Sequence, residues 1–391
     1  MNAPAPRKRI LVCDVLGGGY GRRALLGIGK YASHHGRWLI THLPTVQGLE
    51  QVIRTWSPEG ILVRGSDTAE LAAALARQRM PVVEYDWRGE ELDLPYASTD
   101  YAETGRICAD FLLHLGHRCF GAYGSGHPDT IRIFECFEAR IREGGGDAHC
   151  LLLAYKGPRG VRQWSLERKI EELREWLASL TLPAAVLVGS DAMAVRVVEA
   201  CSLLELRIPE DIALLGIGND ETTCQVLWPH LSSVALNSER VGWESARMLD
   251  EILSGDAHPE NSIVPPLGIV ERASTDIIAT EDESVRDALR LMRERCPEPL
   301  TVEEIAQSTG LCRRSLEKRF KKEMNCSPAE EMRRLRMAFA KDLLLNSDQK
   351  ITSVAYSCHY RTFSDFNRNF KQETGMTPSE FRKRGLVSDG S

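Results

Sequence analysis

Two hydrophobic rhythms divide the chain. From residue 9 to about residue 279, short apolar runs alternate with helix-like stretches. ILVCD (10–14), WLITHL (38–43), GILVRG (60–65), VVEYD (82–86), CFGAY (119–123), AAVLVG (184–189) and IALLGIG (212–218) are strand candidates. RALLGIGKYASHH (23–35) and the stretches 101–115 and 191–204 are helix candidates between them. Near-continuous apolar runs of this length fit strands buried on both faces, and repeated strand–helix units imply parallel, doubly wound sheets with sites at the strands' carboxyl ends. So many units exceed one sheet, so two similar lobes with a cleft between them are expected.

Beyond residue 284 the period becomes helical and a local unit occurs twice. IAQSTGLCRRSLEKRFKKEMNCSP (305–328) aligns with VAYSCHYRTFSDFNRNFKQETGMTP (354–378), matching Ala306 to Ala355, Leu316 to Phe366 and Phe320 to Phe370. Such a repeat signals two copies of one supersecondary unit, here a helix-turn-helix. Thr301 with Glu304 reads as a capping box. Gly310 supplies the turn, and Leu316 and Phe320 share one helix face opposite Arg313, Arg314, Glu317 and Lys318. Asn325 and Gly375 close the second helices, while Ser327-Pro328 and Thr377-Pro378 open the next ones. Residues 331–345 read as one longer helix joining the copies. ATEDES (279–284) is a short acidic linker, after which Ser284 with Asp287 is expected to cap a further helix.

Composition changes the picture in one respect. The chain of 391 residues carries a formal charge of −6. Residues 285–384 hold 21 Lys and Arg against 14 Asp and Glu, a surplus of +7; the remainder holds 28 against 41, or −13. A basic terminal module on an acidic body suits a nucleic-acid binder. The 11 cysteines are scattered without a C-x-x-C pair, which points to buried thiols in a reducing cytoplasm, with Cys312 the one exposed to oxidation. Neither a signal peptide nor an apolar run of membrane-spanning length is apparent.

Catalytic and cofactor motifs are weak. GYGRRA (19–24) fits G-x-G-x-x-A, but the second strand lacks the acidic residue that would hold a ribose. His114 and His117 have metal-like spacing without a third ligand. There is no phosphate-binding G-x-x-x-x-G-K loop and no nucleophile elbow. The expectation is a protein without enzymatic activity, cofactor or metal.

The duplicated segment resembles the DNA-binding domain of the arabinose-regulator (AraC) family, most specifically in NRNFKQETGMTPSEFR (367–382). His359 departs from that family's glycine at the turn, at a cost of about 1 kcal/mol. The resemblance implies base-facing positions at Arg314, Glu317 and Lys318 in the first copy and Phe363, Ser364, Asn367 and Arg368 in the second. Arg313, Arg361 and Lys371 fall at phosphate-contacting positions.

A second resemblance covers residues 9–272. STDYAETGRICADFLLHLGHRCFGAYG (98–124), VGSDAMAVRVVEA (188–200), LRIPEDIALLGIGND (206–220) and LSSVALNSERVGWESARML (231–249) follow, in order, the landmarks of the lactose-repressor and periplasmic sugar-binding superfamily. Joined to a C-terminal AraC-type module, this is similar to the xylose-operon activators. The implied fold is an α/β two-lobed periplasmic-binding-protein-like sensor with doubly wound parallel sheets (1–279), a linker (280–284) and an all-α double helix-turn-helix domain (285–386).

The implied function is a cytoplasmic, sequence-specific transcriptional regulator, an activator acting as a homodimer. Its partners would be double-stranded operator DNA, a small sugar effector and RNA polymerase, with no membrane. The alternatives are a purine or amino-acid effector, or a nucleotide-binding enzyme fused to a DNA-binding module. Ligand candidates carried over are Tyr20, Asp100, Arg132, Asp191, Asn219 and Asn237, with Trp87, Arg88 and Trp164 placed by loop position only. Asp191 reads equally as a helix N-cap, and Arg132 as a surface arginine. Gly218 stands where sugar-binding relatives carry aspartate, which argues against xylose itself but allows another sugar or a polyol.

Overall fold

A computed structural model describes residues 7–14, 18–36, 38–44, 48–64, 74–75, 77, 80–86, 94–153, 166–255, 259–276, 282–296, 298–347, 349–360 and 362–385. Trp87, Arg88, Trp164, Arg361 and residues 279–281 of the expected linker lie outside these residues.

Within them the first part of the chain forms two six-stranded sheets. The first is built from Arg9–Asp14 (β1), Leu39–Leu43 (β2), Gly60–Arg64 (β3), Val82–Asp86 (β4), Tyr96–Thr99 (β5) and, from far downstream, Ser262–Val264 (β11), in the order β11-β5-β4-β3-β1-β2. The second combines Cys119–Ser125 (β6), Asp147–Leu153 (β7), Ala184–Val188 (β8), Ile212–Ile217 (β9), Ser232–Ala235 (β10) and Gly268–Val270 (β12), in the order β12-β10-β9-β8-β6-β7. All pairings are parallel except β10 with β12. The central strands are covered on both faces, which is why Ile10–Cys13, Ala184–Val188 and Ile212–Leu215 are apolar and buried throughout.

The chain passes between lobes three times, after β5, β10 and β11. On the first passage, Tyr101–His114 (α3, after Gly18–Tyr31 as α1 and Leu49–Trp56 as α2) packs on Pro128–Glu143 (α4) in the second lobe. After Leu166–Ala178 (α5), Asp191–Leu203 (α6) and Glu221–Val226 (α7), the helix Ser238–Leu253 (α8) crosses back to lie on α1 and the first sheet. The helix read from sequence at residue 23 begins earlier, at Gly18, and its last turn relaxes into a π-helical segment, Ala32–Gly36.

The remainder is helical: Glu283–Glu294 (α9), Val302–Ser308 (α10), Arg313–Met324 (α11), Pro328–Asn346 (α12), Ile351–Ser357 (α13), Phe363–Thr374 (α14) and Pro378–Gly385 (α15). The two repeat units bury matching residues. Ile305, Ala306, Leu316 and Phe320 share a cluster with Val285, Leu289 and Met292 of α9, while Val354, Ala355, Phe366 and Phe370 share one with Met337, Leu344 and Phe381. Capping boxes at Thr301/Glu304 and Ser327/Glu330 are both formed. Thr377 and Glu380 exchange the same pair of bonds at α15.

At α9 the expected cap differs. The helix opens two residues earlier than a Ser284 cap would allow, and the Asp282 carboxylate accepts from the Ser284 and Val285 amides. The same carboxylate also accepts both bonds of Arg319 from α11, at 3.1 and 2.9 Å, and this tertiary partner decides the choice of cap. Gly310, Asn325, Gly375 and His359 all take the left-handed backbone, His359 with φ of 58°.

His117, in the turn before β6, is 4 % exposed, and burial pushes its pKa down to about 4. A histidine held neutral when folded but free to protonate when unfolded stabilises the fold less as pH falls. Its contribution should decline by about 3 kcal/mol between pH 6.5 and pH 4, at roughly 1.4 kcal/mol per pKa unit. Urea unfolding of the His117→Gln variant across that range should lack this slope; a wild-type slope in the variant would assign the acid sensitivity elsewhere.

Candidate effector cleft and nucleic-acid interface

Between the lobes lies a cavity of about 310 Å³. Its first-lobe wall is formed by residues that end strands, where parallel sheets present their polar groups. Arg64 ends β3 and Asp86 ends β4, with Arg64 Nε 2.6 Å from Asp86 Oδ2. Arg64 Nη1 also reaches Asp14, the last residue of β1, at 3.5 Å. The guanidinium lies over the Tyr20 ring, 4.6 Å from its centroid. Tyr101 donates its hydroxyl to Asp86, and the Tyr20 and Thr99 hydroxyls lie 2.9 Å apart. Burial and the nearby Asp86 carboxylate push the Tyr20 and Tyr101 phenols well up, so both remain neutral donors. Asp86 holds this place with φ of 84°, a strain of the kind retained at binding sites.

The second-lobe wall carries Asp129, Asp191 and Asp220, with Ile133, Ile217 and Leu236 as apolar surface. Burial pushes the Asp129 carboxyl up, but hydrogen bonds from His127 and Thr130 outweigh it and hold the pKa low. Asp191 shows the opposite balance: burial dominates and raises it. Its carboxylate accepts from Ser233 Oγ at 2.5 Å and from the Asp220 amide at 2.7 Å. Ser190 occupies the N-cap position of α6 and Asp191 follows it, so the carboxylate is not the cap.

The glycines of GYGRRA serve these carboxylates. A Cβ at Gly21 would collide with Asp14, and one at Gly19 with Asp220 across the cleft. Close approach of the second lobe accounts for Gly19 and close packing on the Asp14 carboxylate of the same lobe for Gly21, with no need of a pyrophosphate turn. Arg22 to Asp220 at 3.1 Å and Arg23 to the Asn219 carbonyl at 3.0 Å join the lobes at the same mouth.

Of the six expected ligand residues, the structure places Tyr20 and Asp191 on the cavity wall. Asn219 is buried beside it, its side-chain oxygen taken by Arg272 at 2.8 Å. Asn237 lies buried at the N-cap of α8, in the second crossover. Asp100 caps α3, accepting from the Glu103 amide at 2.8 Å, and does not reach the cavity. Arg132 points outward on α4 and pairs with Glu135 at 3.5 Å, because the inward face of that helix is Thr130, Ile133, Phe134 and Phe137. Arg23, Arg64, Asp86, Tyr101, Asp129 and Asp220 were missed. For Arg64 and Asp86 a signal existed, since each is the polar residue ending an apolar strand.

Gly218 has φ of 124°, and a Cβ there would stand 3.1 Å from Asp191 Oδ2. Asp191 is thus the carboxylate that borders the position where the resemblance leads one to expect an aspartate.

In the helical domain, Arg314, Lys318, Phe363, Ser364, Arg368 and Lys371 are exposed along α11 and α14, with Glu317 and Asn367 partly buried. Arg313 is held by Glu317 at 2.8 Å and Glu303 at 2.5 Å, and Arg368 by Asp365 at 2.7 Å. Cys312, exposed at the N-cap of α11, has its thiol pKa lowered by the Ser315 hydroxyl and amide.

Residues 109–275 match the periplasmic binding protein-like domain, and residues 305–384 match a helix-turn-helix domain. The chain joins a periplasmic-binding-protein-like domain to an AraC-type helix-turn-helix domain. Two relatives align along nearly the whole chain. The xylose operon regulatory protein of Escherichia coli is 26 % identical over 96 % of this chain and 97 % of that protein. Its counterpart in Haemophilus influenzae is 27 % identical over 93 % and 95 %. The solved structure of a xylose-binding transcription activator superposes with a TM-score of 0.59, at 24 % identity, covering 97 % of this chain and 98 % of the other. Among the described residues no helix is long and apolar enough to cross a membrane, and no cluster of three metal-ligating side chains occurs.

The sensor's Arg64 keeps Asp14 and Asp86 compatible in one buried wall. Arg64→Ala should cost about 3–5 kcal/mol at neutral pH, the usual penalty for stranding a buried charge. Arg64→Lys, which keeps a positive charge beside the two carboxylates, should lose clearly less. Denaturant midpoints of the two variants check this; equal losses would mean Arg64 acts through its shape and packing and not through its charge.

Proposed function

We propose that this chain is a cytoplasmic transcriptional activator, acting as a homodimer, in which a small neutral sugar binds between the sensor lobes and thereby alters how the AraC-type domain engages operator DNA. The chemistry of the cleft carries the reading. Asp86, Asp129, Asp191 and Asp220 line it against two guanidiniums, Arg23 and Arg64. Carboxylates accept hydroxyl protons, the arginines donate to ring and hydroxyl oxygens, and Ile133, Ile217 and Leu236 offer an apolar face for C–H surface.

An excess of carboxylate disfavours phosphorylated ligands such as NAD, so a nucleotide enzyme is not favoured. A purine would seek an open aromatic face, and the Tyr20 ring is already covered by Arg64. The relatives' names make D-xylose the first sugar to test.

The AraC-type domain is seated to feel lobe motion. Helix α12 packs on β12 of the second lobe, and α15 touches α8, which belongs to the packing of the first. On DNA, α11 and α14 would enter successive major-groove faces about one helical turn apart. As an activator the protein would then meet RNA polymerase.

Thermal unfolding of the full chain against pentoses, hexoses, nucleosides, amino acids and NAD tests the ligand class. A pentose should raise the midpoint, since a ligand that binds only the folded state stabilises it; a response confined to a nucleoside or amino acid would overturn the sugar reading. Arg368→Ala should weaken operator binding by about 1–3 kcal/mol and relax preference at one base pair. Uniform weakening across all duplexes would reduce Arg368 to a phosphate contact.

A further inference from the structure

A second cavity of about 310 Å³ lies away from the cleft, where the sensor meets the AraC-type domain. Arg272 and Asp276 come from the sensor's last segment, Arg293 from α9, and Leu335, Ala338 and Phe339 from α12. Its size is at the low end of small-molecule pockets, roughly 300–1,000 Å³.

Arg293 is the unusual member. Its side chain is only 9 % exposed, yet it is poorly used. Nη1 stands 2.7 Å from Asp276 Oδ1 without the alignment of a hydrogen bond, and Nη2 meets no acceptor among the described residues. A buried guanidinium nitrogen without an acceptor is costly, and planar bidentate partners satisfy it best. Arg272 cannot share the task in reverse, since its two terminal nitrogens already donate to the Leu231 carbonyl at 2.8 Å and to Asn219 at 2.8 Å. Leu335, Ala338 and Phe339 give the same cavity apolar lining.

We propose that this junction cavity is a second ligand site, one that takes a small monocarboxylate with an apolar body. The carboxylate would meet Arg293 Nη2, and the hydrocarbon would lie along Leu335, Ala338 and Phe339. Both domains contribute walls, so an occupant binds the docked arrangement and favours it over any undocked one. Arg272 extends that effect toward the cleft, because it holds Asn219, whose amide donates to Ser233 Oγ at 3.0 Å, and Ser233 in turn donates to Asp191. The site would therefore tune the response to the cleft ligand by a coupling that must act equally in both directions.

Titration calorimetry of the full chain with benzoate, already saturated with D-xylose to fill the cleft, tests this independently of the cleft reading. Saturable binding with a dissociation constant of about a millimolar or tighter is expected. Ala338→Phe, which fills the cavity, and Arg293→Lys, which removes the planar fork, should each weaken it by about 10-fold or more. Benzyl alcohol, the same body without the carboxylate, should bind at least about 10-fold more weakly. No saturable binding, equal binding of benzyl alcohol, or undiminished binding in both variants would overturn the proposal. If D-xylose itself does not bind, the benzoate result still decides the junction site.

Discussion

Arg334 of α12 is shared between two carboxylates from different domains, and the joining of sensing to DNA binding depends on it. Its Nη1 is 2.6 Å from Glu271, which follows β12 in the sensor, while Nη2 is 2.7 Å from Glu331 on its own helix. Glu331 is 2 % exposed and also faces His114 at the end of α3, at 3.5 Å. Burial alone would push its carboxyl up, but the bonds from His114 and Arg334 prevail and hold it far below the usual range. Breaking such a pair leaves a stranded charge, whereas keeping it intact adds little net stability. The network therefore reports docking: it tolerates one seating of α12 on the sensor and penalises displaced ones.

The cleft and the junction are connected through ordinary hydrogen bonds. Asn219 receives Arg23 from the first lobe on its carbonyl and Arg272 on its side chain, and its amide reaches Ser233 and so Asp191. A ligand that draws the lobes together acts on Arg23 and Asp191 at once. On the proposed reading, Arg272, which holds Asn219 and adjoins Glu271 in the chain, would pass that change to the seat of α12. Close-packed interiors shift between discrete arrangements, which is how a small motion at Asn219 can reseat a helix as long as α12.

Much of this was legible in the chain. Buried parallel strands are apolar along most of their length, so β1, β3, β4, β8 and β9 announced themselves. The strands β5 and β10 did not, because YAST and SSVA are short and polar, with hydroxyls committed to long-range bonds: Ser98 to the Asp86 carbonyl, Ser232 to Arg272 and Ser233 to Asp191. The duplicated helix pairs were readable to the capping residue, since caps and turn glycines are local chemistry. Asp282 was not, since its role is fixed by Arg319, thirty-seven residues away. The cleft was half readable. Tyr20 and Asp191 follow from resemblance, while Arg64 and Asp86 follow only once each strand's terminal polar residue is taken as the site-bearing one. Arg132 lies off the cleft for reasons of helical phase: Thr130 and Ile133 face it, and Arg132 turns outward to Glu135.

The central claim is that a sugar in the cleft changes the affinity of the distant helices for DNA. The direct measurement is the affinity of the full chain for a duplex from its own upstream region, with and without saturating D-xylose at fixed salt. Coupling of the usual size predicts a change of about 5-fold or more. If D-xylose binds the protein and the two affinities are the same, the account is contradicted.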